Sequence, residues 1–111
     1  MAYDEELAER IRAEVAGEKN VTEMKMFGGL AFLIGGHMAV AASGQGGLMV
    51  RVDPADTESL VDGDTVTRME MRGRRMDGWL RVTAEAVASD EALAAWAGRG
   101  LAYVRTLPPK R

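Results

Sequence analysis

The feature that most constrains this chain is a change of hydrophobic period. Up to Val15 apolar residues recur every four positions. From Met24 they come in short alternating runs broken by glycine, and after Ser89 the helical spacing returns. A helix buries one stripe at a period of 3.6 and a strand buries one face at a period of 2. The chain must therefore carry strands between helical ends, and the short glycine turns between the strands make the sheet mainly antiparallel.

The elements follow from this. "YDEELAERIRAEVAGE" reads as a helix with Leu7, Ala8, Ile11 and Val15 on its apolar stripe and Asp4, Glu5 and Glu6 at its start, where carboxylates complement the helix dipole. Gly17 and Asn20 are its stops. "EMKMFGG", "LAFLI", "HMAVAAS" and "GLMVRV" read as a meander, with Gly35-Gly36 as a tight hairpin and "SGQGG" as a looser one. "DPADTESLVDG" is a short helix with Asp53 as cap and Pro54 in its first turn. "TVTRMEMR" and "GWLRV" are two further strands, joined by a loop from Gly73 to Gly78. "SDEALAAWAGRGLAYVRTL" is the last helix, capped by Ser89, with Leu93, Trp96, Ala97, Gly100, Leu101 and Val104 facing the core. The fold expected is a two-layer α+β domain, with a mainly antiparallel sheet of about five to six strands and helices packed on one face. It spans residues 1–107, with 108–111 as a tail.

Composition narrows the functions. With 111 residues, 47% hydrophobic and 28% charged, the chain suits a single globular domain. It has no cysteine, which excludes disulfides, thiolate metal sites and a cysteine nucleophile, and which suits a cytoplasmic location. The net charge of -3 weighs against a dedicated nucleic-acid binder, whose affinity rests on neutralising phosphates. The start of the chain lacks the basic and apolar segments of a signal peptide. "GGLAFLIGGHMAVAASG" is cut by glycine pairs into halves well short of the ~20 residues a membrane helix needs, so it reads as two buried strands and no membrane association is expected.

"KMFGGLAFLIGGHMAVAAS", "GLMVRVD", "MEMRGRRMDGWLRV" and "SDEALAAWAGRGLAY" together resemble the N-terminal domain family of TfoX, also called Sxy. The resemblance runs from about Met24 to Tyr103. It implies a secretion-chaperone-like α+β fold, of a kind that often dimerises. It also implies a link to competence and transcription, since TfoX acts as a coactivator with the cyclic-AMP receptor protein. In TfoX a helical domain follows this one, and a stand-alone N-terminal domain is the expectation here. The family lends no catalytic residues.

The residues themselves support little chemistry. His37 is the one histidine, set by the Gly35-Gly36 turn, with no second histidine or cysteine to share a metal. No serine sits in a nucleophile elbow, and neither "SGQGG" nor "MFGG" completes a phosphate-binding fingerprint. No enzyme, cofactor or metal is expected. Met24 and Met26 share one strand face and Met69 and Met71 another, so core is the default reading of the eight methionines, with about one or two left as surface candidates.

"MEMRGRRMDGWLRV" packs four arginines and a tryptophan into one stretch. With Thr67, Met69 and Met71 facing the core beside Leu48, Val50, Leu80 and Val82, alternation turns Arg68, Glu70 and Arg72 outward, with Met49, Arg51, Trp79 and Arg81 on the same outer face. Arg74 and Arg75 extend it from the loop. The expected interaction surface is Met49, Arg51, Arg68, Arg72, Arg74, Arg75, Trp79 and Arg81, a mixture enriched at protein interfaces. A homodimer is the expected partnership, with another protein next. The alternative is a transcriptional regulator that touches nucleic acid through the arginines, which the acidic total and single aromatic disfavour.

Overall fold

The computed structural model describes residues 3–26, 28–71 and 73–108. The order is α1 (Glu5–Val15), β1 (Val21–Met26), β2 (Gly29–Ile34), β3 (His37–Ala42) and β4 (Leu48–Arg51). A 3-10 turn (Pro54–Asp56) then leads into α2 (Thr57–Leu60), followed by β5 (Val66–Met71), β6 (Arg74–Val82), a second 3-10 turn (Glu85–Val87) and α3 (Asp90–Val104). The strands form one antiparallel sheet in the order β1-β2-β3-β4-β6-β5, so β1 and β5 are its edges.

Local chemistry explains the boundaries. The Asp4 carboxylate accepts the Leu7 N–H at 3.1 Å and Ser89 Oγ accepts the Ala92 N–H at 3.1 Å, each satisfying a donor that the first helical turn leaves free. Asp53 does the same for Ala55 at 2.9 Å. α1 ends at the Ala16 cap, and Asn20, just before β1, takes φ +60, a left-handed geometry that asparagine tolerates.

Both long helices lie on the same side of the sheet. α1 rests on β3, α3 rests on β3 and β4, and the two helices touch. Leu7, Ile11, Val15, Leu93, Leu101 and Val104 pack there against Phe32, Val40, Leu48, Val50, Leu80 and Val82. This is the two-layer α+β arrangement that the periodicity implies. Trp96 departs from expectation. It is half-buried against this core, and the Arg99 guanidinium stands 5.4 Å from its ring centroid. It occupies the margin of the stripe, where one side of the indole still meets solvent.

Two further expectations need correction. The Gly73–Gly78 segment is not a loop, because β6 begins at Arg74. The phase of β5 is also reversed. Val66, not Thr67 or Met69, faces the helices, since Val66 pairs with Val82, while Met69 lies on the opposite face. Alternation along β5 is as expected, but only its register with β6 decides which half is buried.

Candidate functional site: the helix-free face

A second apolar cluster occupies the other side of the sheet. Ala31, Met38, Ala41, Met49 and Met69 form it, with Met26, Leu33 and Trp79 packed around them. Every one of these side chains comes from a strand. No described helix covers them, and they are shielded mainly by one another, Met49 being 8% and Met69 9% exposed. Met24 pairs with Ala31 and so extends the same face to the β1 edge, where it is 47% exposed. Methionine, unbranched and polarisable, adapts to irregular surfaces. Sequence reasoning puts Met49 on the outer face and the other methionines in the core by default. The alternation of Met24 with Met26 signalled a shared face but not which one.

Of the expected surface, Met49, Arg51, Trp79 and Arg81 do come together on this side. Met49 pairs with Arg81 and Arg51 with Trp79 across β4 and β6. The Arg51 guanidinium sits 5.0 Å from the Trp79 ring centroid and 5.5 Å from that of Tyr103, so it covers the indole as a cation on an aromatic face. Arg81 donates to Gln45 Oε1 at 2.6 Å. Arg68 does not join them. It pairs with Leu80, whose side chain faces the helices, and it binds Asp77 at 2.9 Å. Arg74 and Arg75 are exposed at the start of β6. Arg72 lies outside the described residues. The arginines therefore serve several separate contacts and do not make one continuous face.

A bend in β6 aims Trp79. Arg68 pairs with Leu80 but Met69 pairs with Met76, so Asp77, Gly78 and Trp79 have no partner in β5. Gly78 takes φ +85, where a side chain would be strained, and an added Cβ would also stand 3.1 Å from the Pro54 ring. The bend is tied down by Thr57, which is 1% exposed. Its hydroxyl accepts the Gly78 N–H at 2.7 Å and donates to the Pro54 carbonyl at 2.8 Å. Gly78 O in turn accepts the Val52 N–H at 2.9 Å. Neither the bend nor the role of Thr57 was anticipated. Gly78 reads in the sequence only as the end of a loop, and nothing local points to a threonine on another element.

The remaining candidates are structural. His37 Nε2 lies 2.6 Å from the Pro108 carbonyl and ties the chain after α3 to β3, while its Nδ1 is buried without a hydrogen-bond partner among the described residues. "MFGG" is a packing mark, because a Cβ at Gly29 would stand 2.2 Å from the Ala42 carbonyl oxygen. Among the described residues no group of three or more histidine, cysteine, aspartate or glutamate side chains could hold a metal ion. Among them, too, no helix is long and apolar enough to cross a membrane.

No curated protein and no solved structure gives a match to this chain. The family model described as the TfoX N-terminal domain matches residues 13–103, which takes in every strand and all of α3 but its last residue. The glycine-spaced meander, the arginine-rich hairpin and the tryptophan-bearing last helix all lie within that span, and the chain belongs to the TfoX N-terminal domain family.

Proposed function

We propose that this chain is a non-enzymatic interaction module that self-associates through the β1 edge and the methionine face beside it. The observation that carries this reading is Met24. It is the one large apolar side chain found exposed among the described residues, and it sits on an edge strand. An open edge offers a row of unpaired backbone groups to another strand. Glu23 and Lys25 flank Met24 on the helix side, paired with Phe32 and Leu30. If β1 meets β1 of a second copy antiparallel and centred on Met24, Glu23 of each copy faces Lys25 of the other. Met24 then meets Met24, and Thr22 meets Met26. Unlike charges and apolar groups both match, and the contact is isologous, as a two-fold dimer requires. Glu23 is also bound within its own chain. The Arg12 guanidinium donates to its carboxylate at 2.6 and 2.7 Å and lowers its pKa.

This moves the expected contact away from Trp79, whose ring Arg51 already covers. The experiment is sedimentation of the wild type and two variants. Met24→Lys sets two ammonium groups face to face on the axis and should give a folded monomer, whereas Trp79→Ser with Arg81→Glu should stay dimeric. A wild type that is monomeric at its highest soluble concentration would sink the proposal. The opposite pattern, with only the Trp79 variant monomeric, would return the contact to the arginine side.

A cytoplasmic regulatory role, with a transcription activator as heterologous partner, is consistent with such a module and is supported by family membership alone. Pull-down with the Met24→Lys monomer as comparison tests whether any partner needs the dimer. Direct action on nucleic acid is the weaker reading, because Arg51 and Arg68 are engaged inside the molecule.

A further inference from the structure

The β5 end of the sheet holds a hollow of about 490 Å³ lined by Arg68, Arg75 and Arg81 together with Glu70, Gln45 and Thr67. Three arginines border it, Arg68 from the helix side of β5 and Arg81 from the other, in a chain whose net charge is -3. Their commitments differ. Arg68 is neutralised by Asp77 at 2.9 Å. Arg81 is positioned by a neutral group, Gln45 Oε1, at 2.6 Å, which fixes the side chain and leaves its charge uncompensated. Arg75 pairs with Glu70 across the ladder, and among the described residues neither it nor Arg81 has a carboxylate within ion-pair distance. A second hollow of about 310 Å³ shares Gln45, Thr67 and Arg81 and continues toward the Gly46-Gly47 turn and Thr83.

We infer that this hollow binds a phosphate monoester, carried by a sugar phosphate or a nucleotide. The donors decide the class. The Arg75 guanidinium, the Arg81 N–H groups not given to Gln45, the Thr67 hydroxyl and the Gln45 amide N–H groups exceed what the two oxygens of one carboxylate can accept. The three terminal oxygens of a phosphate monoester can accept from both guanidiniums. The charge agrees, since a phosphate monoester carries about -1.5 to -2 near neutral pH and two arginines are free to meet it. Val61 gives one apolar wall, and the adjoining hollow has room for the organic part. The volume is that of a small-molecule site, within the usual range of ~300–1,000 Å³. Glu70 opposes an anion and holds the affinity down. The inference does not depend on self-association, because β5 lies at the opposite edge of the sheet from β1.

The test is calorimetric titration of the full chain, at low salt, with ribose 5-phosphate, AMP, ribose, succinate and an oligothymidine without terminal phosphates. Ribose 5-phosphate and AMP should bind at one site, and ribose and succinate should not. AMP binding more tightly than ribose 5-phosphate would assign the nucleotide as the source, and the reverse would assign the sugar phosphate. Arg75→Gln and Arg81→Gln should each weaken binding about tenfold or more, while Arg99→Gln on α3 leaves it unchanged. Glu70→Gln should tighten binding about threefold, a gain that misfolding cannot mimic. Absence of saturable binding by either monoester would overturn the inference, as would indifference to Arg75, Arg81 and Glu70. Succinate binding as tightly as ribose 5-phosphate would also overturn it, and oligothymidine binding more tightly through the same arginines would replace it with a polyanion groove.

Discussion

Thr57 offers the sharpest test of how the β6 bend is held. Its hydroxyl bridges the Pro54 carbonyl and the Gly78 N–H inside a nearly closed site. Thr57→Val keeps the shape and removes the bridge. The Gly78 N–H is then buried with no acceptor, at a cost of about 1–3 kcal/mol. Pro54 is exposed, so water can take over its carbonyl at small cost. A net loss of about 2 kcal/mol follows, which for a domain of this size lowers Tm by about 8 °C. Thr57→Ser keeps the hydroxyl and removes one methyl, worth about 0.8 kcal/mol. Urea denaturation should therefore rank wild type above Ser and Ser above Val. Hydrogen exchange should show the Gly78 amide losing protection in Val but not in Ser. In a Trp96→Phe background, Trp79 emission should shift red in Val, because the bend that sets the indole against Met49 and Met69 is released. If Val is as stable as Ser, or the Gly78 amide stays protected, the hydroxyl does not hold the bend and the reasoning fails.

Trp96→Ala should cost about 1.5–3 kcal/mol by denaturation, below the 3–5 of a fully buried aromatic, because one side of the indole faces Arg99 and solvent; a loss as large as 5 would place the ring in the core. Asp62 is held down to about 2, first by the Thr65 hydroxyl and then by the Val66 and Asp64 N–H groups, which it accepts at 2.8 and 2.7 Å. A folded pKa below the unfolded one of ~3.9 means that its stabilisation is present above pH ~4 and lost as pH falls toward 2. The stability gap between wild type and Asp62→Asn should therefore close over that window, and a gap constant in pH would refute the ionised turn. Salt should leave the proposed dimer largely intact, because Met24 rather than the Glu23–Lys25 pairs carries the contact; dissociation in moderate salt on sedimentation would argue for charge instead.

How much was legible in the sequence can be judged element by element. The helices, the acidic start of α1 at Asp4, the caps at Asp53 and Ser89, the Gly35-Gly36 hairpin and the antiparallel meander are local. Each rests on a periodicity or a side-chain bond to a backbone group a few residues away, and such signals are written in consecutive residues. Family membership was also legible, since it rests on an ordered set of such segments. The shared outer face of Met49, Arg51, Trp79 and Arg81 followed from alternation, though their pairing across β4 and β6 did not.

What the tertiary structure alone decided is non-local. Alternation divides a strand into two halves but does not say which half meets the helices. For β5 the pairing of Val66 with Val82 made that choice and sent Met69 to the open face. The same limit hid the methionine face, because it gathers one or two residues from each of the six strands and no stretch of chain contains it. It hid the register slip at Gly78, the threonine that ties it, and the convergence of Arg75 and Arg81 on one hollow. One residue of register reverses every side chain of a strand, and register is fixed by the packing of the whole sheet rather than by any segment of it.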